Sequence, residues 1–297
     1  MKPPPFKYYA PDTTEEALNH LAEYGYEAKA LAGGQSLIPI MNFRLAQPEV
    51  LIDLNRIASL SYIHRDENGG LRLGAMTRHA QVEHHGLIKD HLPLIFEAMP
   101  QIATTQIRSR GTIGGSIAHA DPSAELVASS VALQARFRLR SQTGERWVPA
   151  DEFFMGMFTT LLEPDELLVE IEFPPSPSRT GWSLMEMSRR PHDFALVGVV
   201  AGLTLNTNIR CQDARIVFLS VGDGPVVAHQ AGETLKDQEL TPELIQNAAE
   251  TAAFDDIDPS SDIHATADYR RQLAKVLTRR ALDIAFTRAK NNSERAD

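Results

Sequence analysis

Ala32-Gly33-Gly34-Gln35-Ser36 and Thr112-Ile113-Gly114-Gly115-Ser116 are the two stretches whose residue types could do chemistry. They stand about eighty residues apart, and each follows an apolar or β-prone run. Paired glycines let the backbone turn its N–H groups inward with no side chain in the way, a geometry that cradles oxyanions. One such loop is as well explained by a tight turn. Two, each closing on a serine hydroxyl, suggest a diphosphate gripped from two sides, as in a dinucleotide such as FAD; two plain turns are the alternative. Neither stretch has the spacing G-x-G-x-x-G, and the first runs on into Gln35-Ser36-Leu37, so a nicotinamide-type Rossmann site is not expected.

Other polar residues read less sharply. Asp121 and Glu125 have the look of an acid/base pair, but Asp121 serves equally well as a helix cap, with Pro122 at the first helical position. Arg108 and Arg110 share a face if their segment is extended, and would then offer cations to a phosphate or a partner subunit; a solvated face is the alternative. Cys211 is the only cysteine, so an iron–sulfur cluster, which needs about four thiolates, cannot be housed here. It falls between polar residues and reads as part of a turn between strands. His84 and His85 are adjacent, and His79, His119 and His192 are isolated, so no metal constellation is expected.

The elements that must position these residues follow from pattern. The 297 residues suffice for two or three domains with real cores. A threonine cap opens a surface helix over Thr14 to Tyr24, Glu27 to Leu31 is a short strand feeding the first glycine loop, and Leu37 to Arg44 is a helix. Val50 to Leu54 reads as a buried strand of a small mixed sheet. Asn68-Gly69-Gly70 marks a hairpin, Thr77 the cap of a helix through His84, and Pro93 to Ile102 another helix. The second glycine loop follows, then a helix from the Asp121 cap to about Leu133. Leu167 to Phe173 alternates as a half-buried strand. Pro174-Pro175-Ser176-Pro177-Ser178 is the clearest linker. Beyond it come three β-rich runs, Trp182 to Met187, Ala195 to Leu205 and Ala214 to Val221, then helices over Pro242 to Phe254 and Ala265 to Arg288.

A formal charge of −10 with no basic stripe argues against nucleic acid as a partner. The apolar fraction of 43% and charged fraction of 23% are those of an ordinary globular protein. No run approaches the roughly 18 apolar residues of a membrane span, and none has the core of a signal peptide, so a cytoplasmic protein is expected.

Three strings together resemble a known family: Ala32 to Met41, Thr112 to Glu125, and Ser188-Arg189-Arg190 followed by Asp193-Phe194-Ala195-Leu196-Val197. Their order and spacing are similar to the FAD-binding medium subunit of the molybdenum hydroxylases, from Phe6 to about Lys290. The chain departs from that pattern in two places. His192 stands where many relatives have glycine, and Met185-Glu186-Met187 stands where many carry a lysine.

The resemblance implies an α+β chain: an FAD-binding PCMH-type domain over 1–176, with subdomains of about 1–57 and 58–176. A C-terminal domain with a three-stranded antiparallel sheet and helices would follow over 177–290, then a tail, 291–297. It implies that the N–H groups of Gly33, Gly34, Gln35 and Ser36, with Ala32, hold one part of an FAD diphosphate. Thr112, Ile113, Gly114, Gly115 and Ser116 would meet the phosphates and ribityl from the other side. Asp121 and Glu125 would lie near the flavin, with Glu125 bonding ribityl hydroxyls, Ile102 would pack near the adenine, Leu168 would line the pocket, and Phe194 would lie over the isoalloxazine or in the core.

No catalytic nucleophile is implied. The expected role is electron transfer, from 2Fe-2S clusters on a small partner subunit through FAD to an external acceptor. A large partner would hold the molybdopterin cofactor, the whole forming a dimer of heterotrimers. A self-sufficient PCMH-type flavin oxidase or reductase is the alternative, and a nucleotide-binding regulatory module is a second.

Overall fold

A computed structural model describes residues 2–296. The first layer is a small βαβ arrangement: β1 (Lys7–Tyr9), α1 (Thr14–Tyr24), β2 (Ala28–Leu31), α2 (Leu37–Asn42) and β3 (Val50–Asp53). Thr13 caps α1 by accepting the Glu16 N–H at 3.2 Å, and Ala17, Leu18 and Leu21 form its buried stripe. β3 lies between β1 and β2 and runs parallel to both, so the sheet is parallel throughout rather than mixed. Each of its two connections carries a helix, as a parallel crossover requires.

The middle layer contains β4 (Ile63–Arg65), β5 (Leu71–Gly74), α3 (His79–His84), α4 (Gly86–His91), α5 (Pro93–Ala98), α6 (Thr105–Arg108), α7 (Ile113–His119) and α8 (Glu125–Ala132). It continues through β6 (Arg136–Arg140), β7 (Glu145–Pro149), α9 (Ala150–Phe153), the short hairpin β8 (Phe154–Gly156) and β9 (Thr159–Thr160), and β10 (Leu167–Phe173). Five strands form one sheet in the order β4-β5-β10-β6-β7. β10 is buried along almost its whole length, where alternation had suggested a half-buried strand. The reason is its central place. Leu167 and Val169 pack with Leu18 and Val50 of the first layer, while Leu168, Ile171 and Phe173 pack with the helices of the middle layer.

Two expected helix starts and one expected loop differ from the structure. Thr77 does not cap α3: its hydroxyl donates to the Tyr62 carbonyl at 2.9 Å and accepts the Tyr62 N–H at 3.1 Å, tying two loops together. Asp121 accepts the Ser123 N–H at 2.9 Å, which closes a turn ahead of α8, and the helix itself begins at Glu125. The second glycine stretch is no loop, because Ile113 to Ser116 are the first turn of α7.

No regular structure spans 174–177. β11 (Thr180–Ser188), β12 (Ala195–Leu205) and β13 (Cys211–Leu219) then form the expected antiparallel meander, with the two-residue β14 (Val226–Val227) on its edge. α10 (His229–Leu235), α11 (Pro242–Phe254) and α12 (Ala267–Ala296) follow. α12 covers the sheet and continues past Arg288, so residues 291–296 are helical rather than a separate tail. Cys211 is buried at the start of β13, not in a turn, and burial pushes its thiol up to about 12. The opposite face of the sheet meets the middle layer: Val200, Val217 and Leu219 share a core with Leu126 and Val131 of α8.

Candidate functional site

The first glycine stretch leaves β2 at Ala32, whose carbonyl accepts the Asn55 side-chain amide at 2.9 Å. Gly33 has no room for a side chain, since a Cβ there would stand 2.3 Å from the Arg110 carbonyl oxygen and 2.8 Å from the Gly111 Cα. Gly34 has φ of +73°, the left-handed region that glycine enters without strain. Gln35 folds its amide back onto the Gly33 carbonyl at 3.0 Å. Among the described residues, the N–H groups of Gly33, Gly34, Gln35 and Ser36 donate to no backbone carbonyl or side chain. Gln35 and Ser36 are exposed, so this row of donors opens towards solvent.

The second stretch differs in kind. The Thr112 hydroxyl caps α7 by accepting the Gly115 N–H at 3.1 Å, and its carbonyl accepts the Ser116 N–H at 3.1 Å. Ile113 donates to the Thr77 carbonyl at 3.0 Å and Gly114 to the Ala75 carbonyl at 2.9 Å. Gly114 is therefore a close-approach position, where a Cβ would come 2.4 Å from that of Ala75. Four N–H groups expected to face a ligand are thus committed inside the protein. What remains is the partly exposed first turn, with Gly115 beside Ala32 and the Ser116 hydroxyl 3.2 Å from His79 Nε2. His79 is 3% exposed, and burial, with Arg108 and Arg78 nearby, pushes its imidazole down to about 4. The Ser116 hydroxyl therefore meets a neutral ring at neutral pH.

Glu125 opens α8 and is half-buried, with no ion-pair partner among the described residues. Burial, then the Glu186 and Asp121 carboxylates, push it up to about 8. Glu186 on β11 is itself pushed up to about 7 by burial, and its Oε2 is buried without a hydrogen-bond partner. Position 186 belongs to the segment where relatives were expected to carry a cation. Here it holds a carboxylate, whose charge helps to raise Glu125.

The other expected residues fall as follows. Ile102 is half-buried and packs against the main core, and Leu168 lies within that core, 4% exposed. Arg108 is not on an extended face. Its segment is α6, and the side chain is buried against Glu83 in a two-point ion pair of 2.8 and 3.1 Å, also donating to the Ile102 and Ala103 carbonyls. Arg110 is exposed. Phe194 is 74% exposed, so it is no core aromatic. His192 has φ of +68°, a left-handed conformation that glycine enters more readily than a residue with a side chain.

Two residues that sequence reading missed join the stretches. Arg78 donates to the Arg110 carbonyl and, at 2.5 Å, to Asn55 Oδ1. Nothing in the local sequence around Asp53-Leu54-Asn55 or Thr77-Arg78-His79 marks them, because their partners are distant in the chain.

A two-layer α+β unit carrying paired glycine segments, followed by a meander backed by long helices, defines an FAD-binding flavoprotein architecture. A family described as the FAD binding domain in molybdopterin dehydrogenase matches residues 4–176, and the CO dehydrogenase flavoprotein C-terminal domain matches residues 182–285. The chain belongs to this family of FAD-binding subunits of molybdenum hydroxylases, and is an oxidoreductase flavoprotein subunit. It is similar to the 6-hydroxypseudooxynicotine dehydrogenase complex subunit alpha of Paenarthrobacter nicotinovorans, at 40% identity over 100% of both chains. The carbon monoxide dehydrogenase medium chain of Hydrogenophaga pseudoflava is 39% identical, covering 97% of this chain and 99% of the relative. A structure of carbon monoxide dehydrogenase from H. pseudoflava, lacking the Mo-pyranopterin moiety, superposes with a TM-score of 0.93 over 97% of this chain and 99% of that one, at 39% identity. Quinoline 2-oxidoreductase from Pseudomonas putida 86 gives a TM-score of 0.91 over 99% of this chain and 100% of that one, at 34% identity. Among the described residues, no helix is long and apolar enough to cross a membrane.

Proposed function

We propose that this chain is the electron-transfer subunit of a heterotrimeric molybdenum hydroxylase, relaying electrons from 2Fe-2S clusters on a small partner through FAD to an external acceptor. The observation that carries the reading is the row of acceptor-free N–H groups from Gly33 to Ser36, fixed against the α7 segment. Such a row suits a diphosphate, whose oxygens would satisfy the donors. Bound FAD supplies a centre that takes electrons singly and releases them in pairs.

The protein's own contributions follow from its contacts. Gly33, Gly34, Gln35 and Ser36 hold the diphosphate, and Ala32 and Gly115 set the width between the two segments. Thr112, Ile113 and Gly114 act by building the turn of α7 rather than by donating N–H groups, and the Ser116 hydroxyl faces the ligand from that turn. Glu125, protonated at neutral pH, donates a hydrogen bond to a ribityl hydroxyl without adding charge beside two phosphates. Asp121 shapes the approach to α8, Ile102 walls the adenine end, and Leu168 backs the pocket from the core.

One buried thiol cannot ligate clusters that need about four. The clusters and the molybdopterin cofactor therefore sit on a small and a large partner, assembled as a cytoplasmic dimer of heterotrimers. The β8–β9 hairpin, with Met155, Met157 and Phe158 each more than half exposed, is apolar surface of the kind that subunits cover. The test is anaerobic flavin absorbance with candidate organic substrates, for the lone chain and for the purified complex. The lone chain should hold FAD and stay oxidised, and the complex should bleach. Bleaching in a preparation free of molybdenum and iron would overturn the relay and favour a self-sufficient flavin oxidase or reductase.

A further inference from the structure

Gly33 rests on the main chain of Arg110 and Gly111, but van der Waals contact alone does not fix one loop against another. Three polar contacts do. Asn55, in the turn after β3, donates its amide to the Ala32 carbonyl at 2.9 Å and accepts from Arg78 at 2.5 Å. The same Arg78 guanidinium donates to the Arg110 carbonyl, the atom on which Gly33 sits. Main-chain pairing at Thr112 holds Arg78 in place, through His79 N–H to the Gly111 carbonyl and Ile113 N–H to the Thr77 carbonyl, both at 3.0 Å. One planar fork thus links the entry of the first segment to the entry of the second.

We propose that Arg78 is a positioning residue of the dinucleotide site, stapling Ala32–Gly33 to Arg110–Gly111 so that the free N–H groups of residues 33–36 stay aligned for a diphosphate. The inference rests on the FAD reading above. Its physical basis is preorganisation: donors already held in their bound geometry lose less freedom on binding. Arginine suits the task because its fork makes two bonds in fixed directions, and a single ammonium cannot copy them. Asn55 is the relay through which half of the staple reaches the loop.

The experiment compares FAD affinity of the flavin-stripped chain for wild type, Arg78→Met, Arg78→Lys, Asn55→Ser and Arg78→Met/Asn55→Ser, with thermal unfolding of each apo-protein. ADP serves as competitor and riboflavin as a probe without a diphosphate. Arg78→Met should weaken FAD and ADP by the same factor, about tenfold, while riboflavin binding is unchanged. Arg78→Lys should recover only part of the loss, and the double variant should be scarcely worse than Arg78→Met because both act through one staple. Wild type that binds FAD while Arg78→Met and Asn55→Ser bind within twofold of it would overturn the staple alone. Wild type that binds no FAD would overturn the site and the staple together. If Arg78→Met does not fold, Asn55→Ser and Arg78→Lys decide the matter by the same criterion.

Discussion

The Cα of Gly33 lies against the carbonyl of Arg110, so close that a Cβ on Gly33 would stand 2.3 Å from that oxygen. The two glycine segments are therefore one joint. Main-chain contact limits how closely they approach, and the contacts of Arg78 and Asn55 hold them there.

Gly33→Ala should consequently open the joint, not merely crowd a ligand. The flavin-to-protein ratio should fall to near zero, with a loss of apo-protein stability of about 1–3 kcal/mol from overpacking. Gly115→Ala meets only the Thr112 hydroxyl at 2.7 Å and the Ala32 Cβ at 3.4 Å, so its effect should be smaller on both counts. Flavin absorbance after gel filtration, with thermal unfolding, measures both. Equal retention in Gly33→Ala and wild type would count against the joint.

Arg108 should matter to stability rather than to charge at the site. Arg108→Met leaves Glu83 buried without its cation and should cost about 3–5 kcal/mol. Adding Glu83→Gln to it should recover a large part, because the stranded charge is gone. Urea unfolding of the two single variants and the double variant checks the order.

Glu125 and Glu186 give the apo-protein a pH signature. Both carboxyls sit above their usual value, at about 8 and about 7, chiefly through burial. A group raised on folding contributes fully below its unfolded pKa of about 4.5 and loses that contribution as pH climbs through 7 and 8. Wild-type stability should therefore fall between pH 5 and pH 8.5. Glu125→Gln should be more stable than wild type at pH 8.5, by on the order of 1 kcal/mol, and lose that advantage at pH 5. Parallel melting curves for variant and wild type across this range would be the contrary result.

We propose a boundary near residue 176, between the FAD-binding domain over 1–176 and the C-terminal domain over 177–290, and its behaviour follows from the shared core. Protease should cut within Pro174 to Ser178, where the chain is largely exposed and outside regular structure. The fragments should nevertheless stay together on gel filtration, because Val200, Val217 and Leu219 pack with α8, and Arg215 pairs with Asp151 at 2.6 Å. Separation of the two pieces without denaturant would refute the shared core.

By itself the sequence determined what local pattern can determine. The threonine cap of α1, the apolar run Val50 to Asp53, the three β-rich runs of the meander and the helix Pro242 to Phe254 all follow from propensity and period, which act over a few residues. The two glycine stretches and the family resemblance pointed to an FAD-binding flavoprotein. Tertiary structure alone decided what each glycine is for. Gly34 answers to its own φ, but Gly33 and Gly114 answer to Arg110 and Ala75, about eighty and forty residues away. The same holds for Arg108, whose burial depends on Glu83, and for Arg78 and Asn55, which have no meaning until Ala32 and Arg110 meet. The raised carboxyls of Glu125 and Glu186 arise because α8 packs on the sheet carrying β11, and desolvation is a property of the packed core that no local spacing encodes.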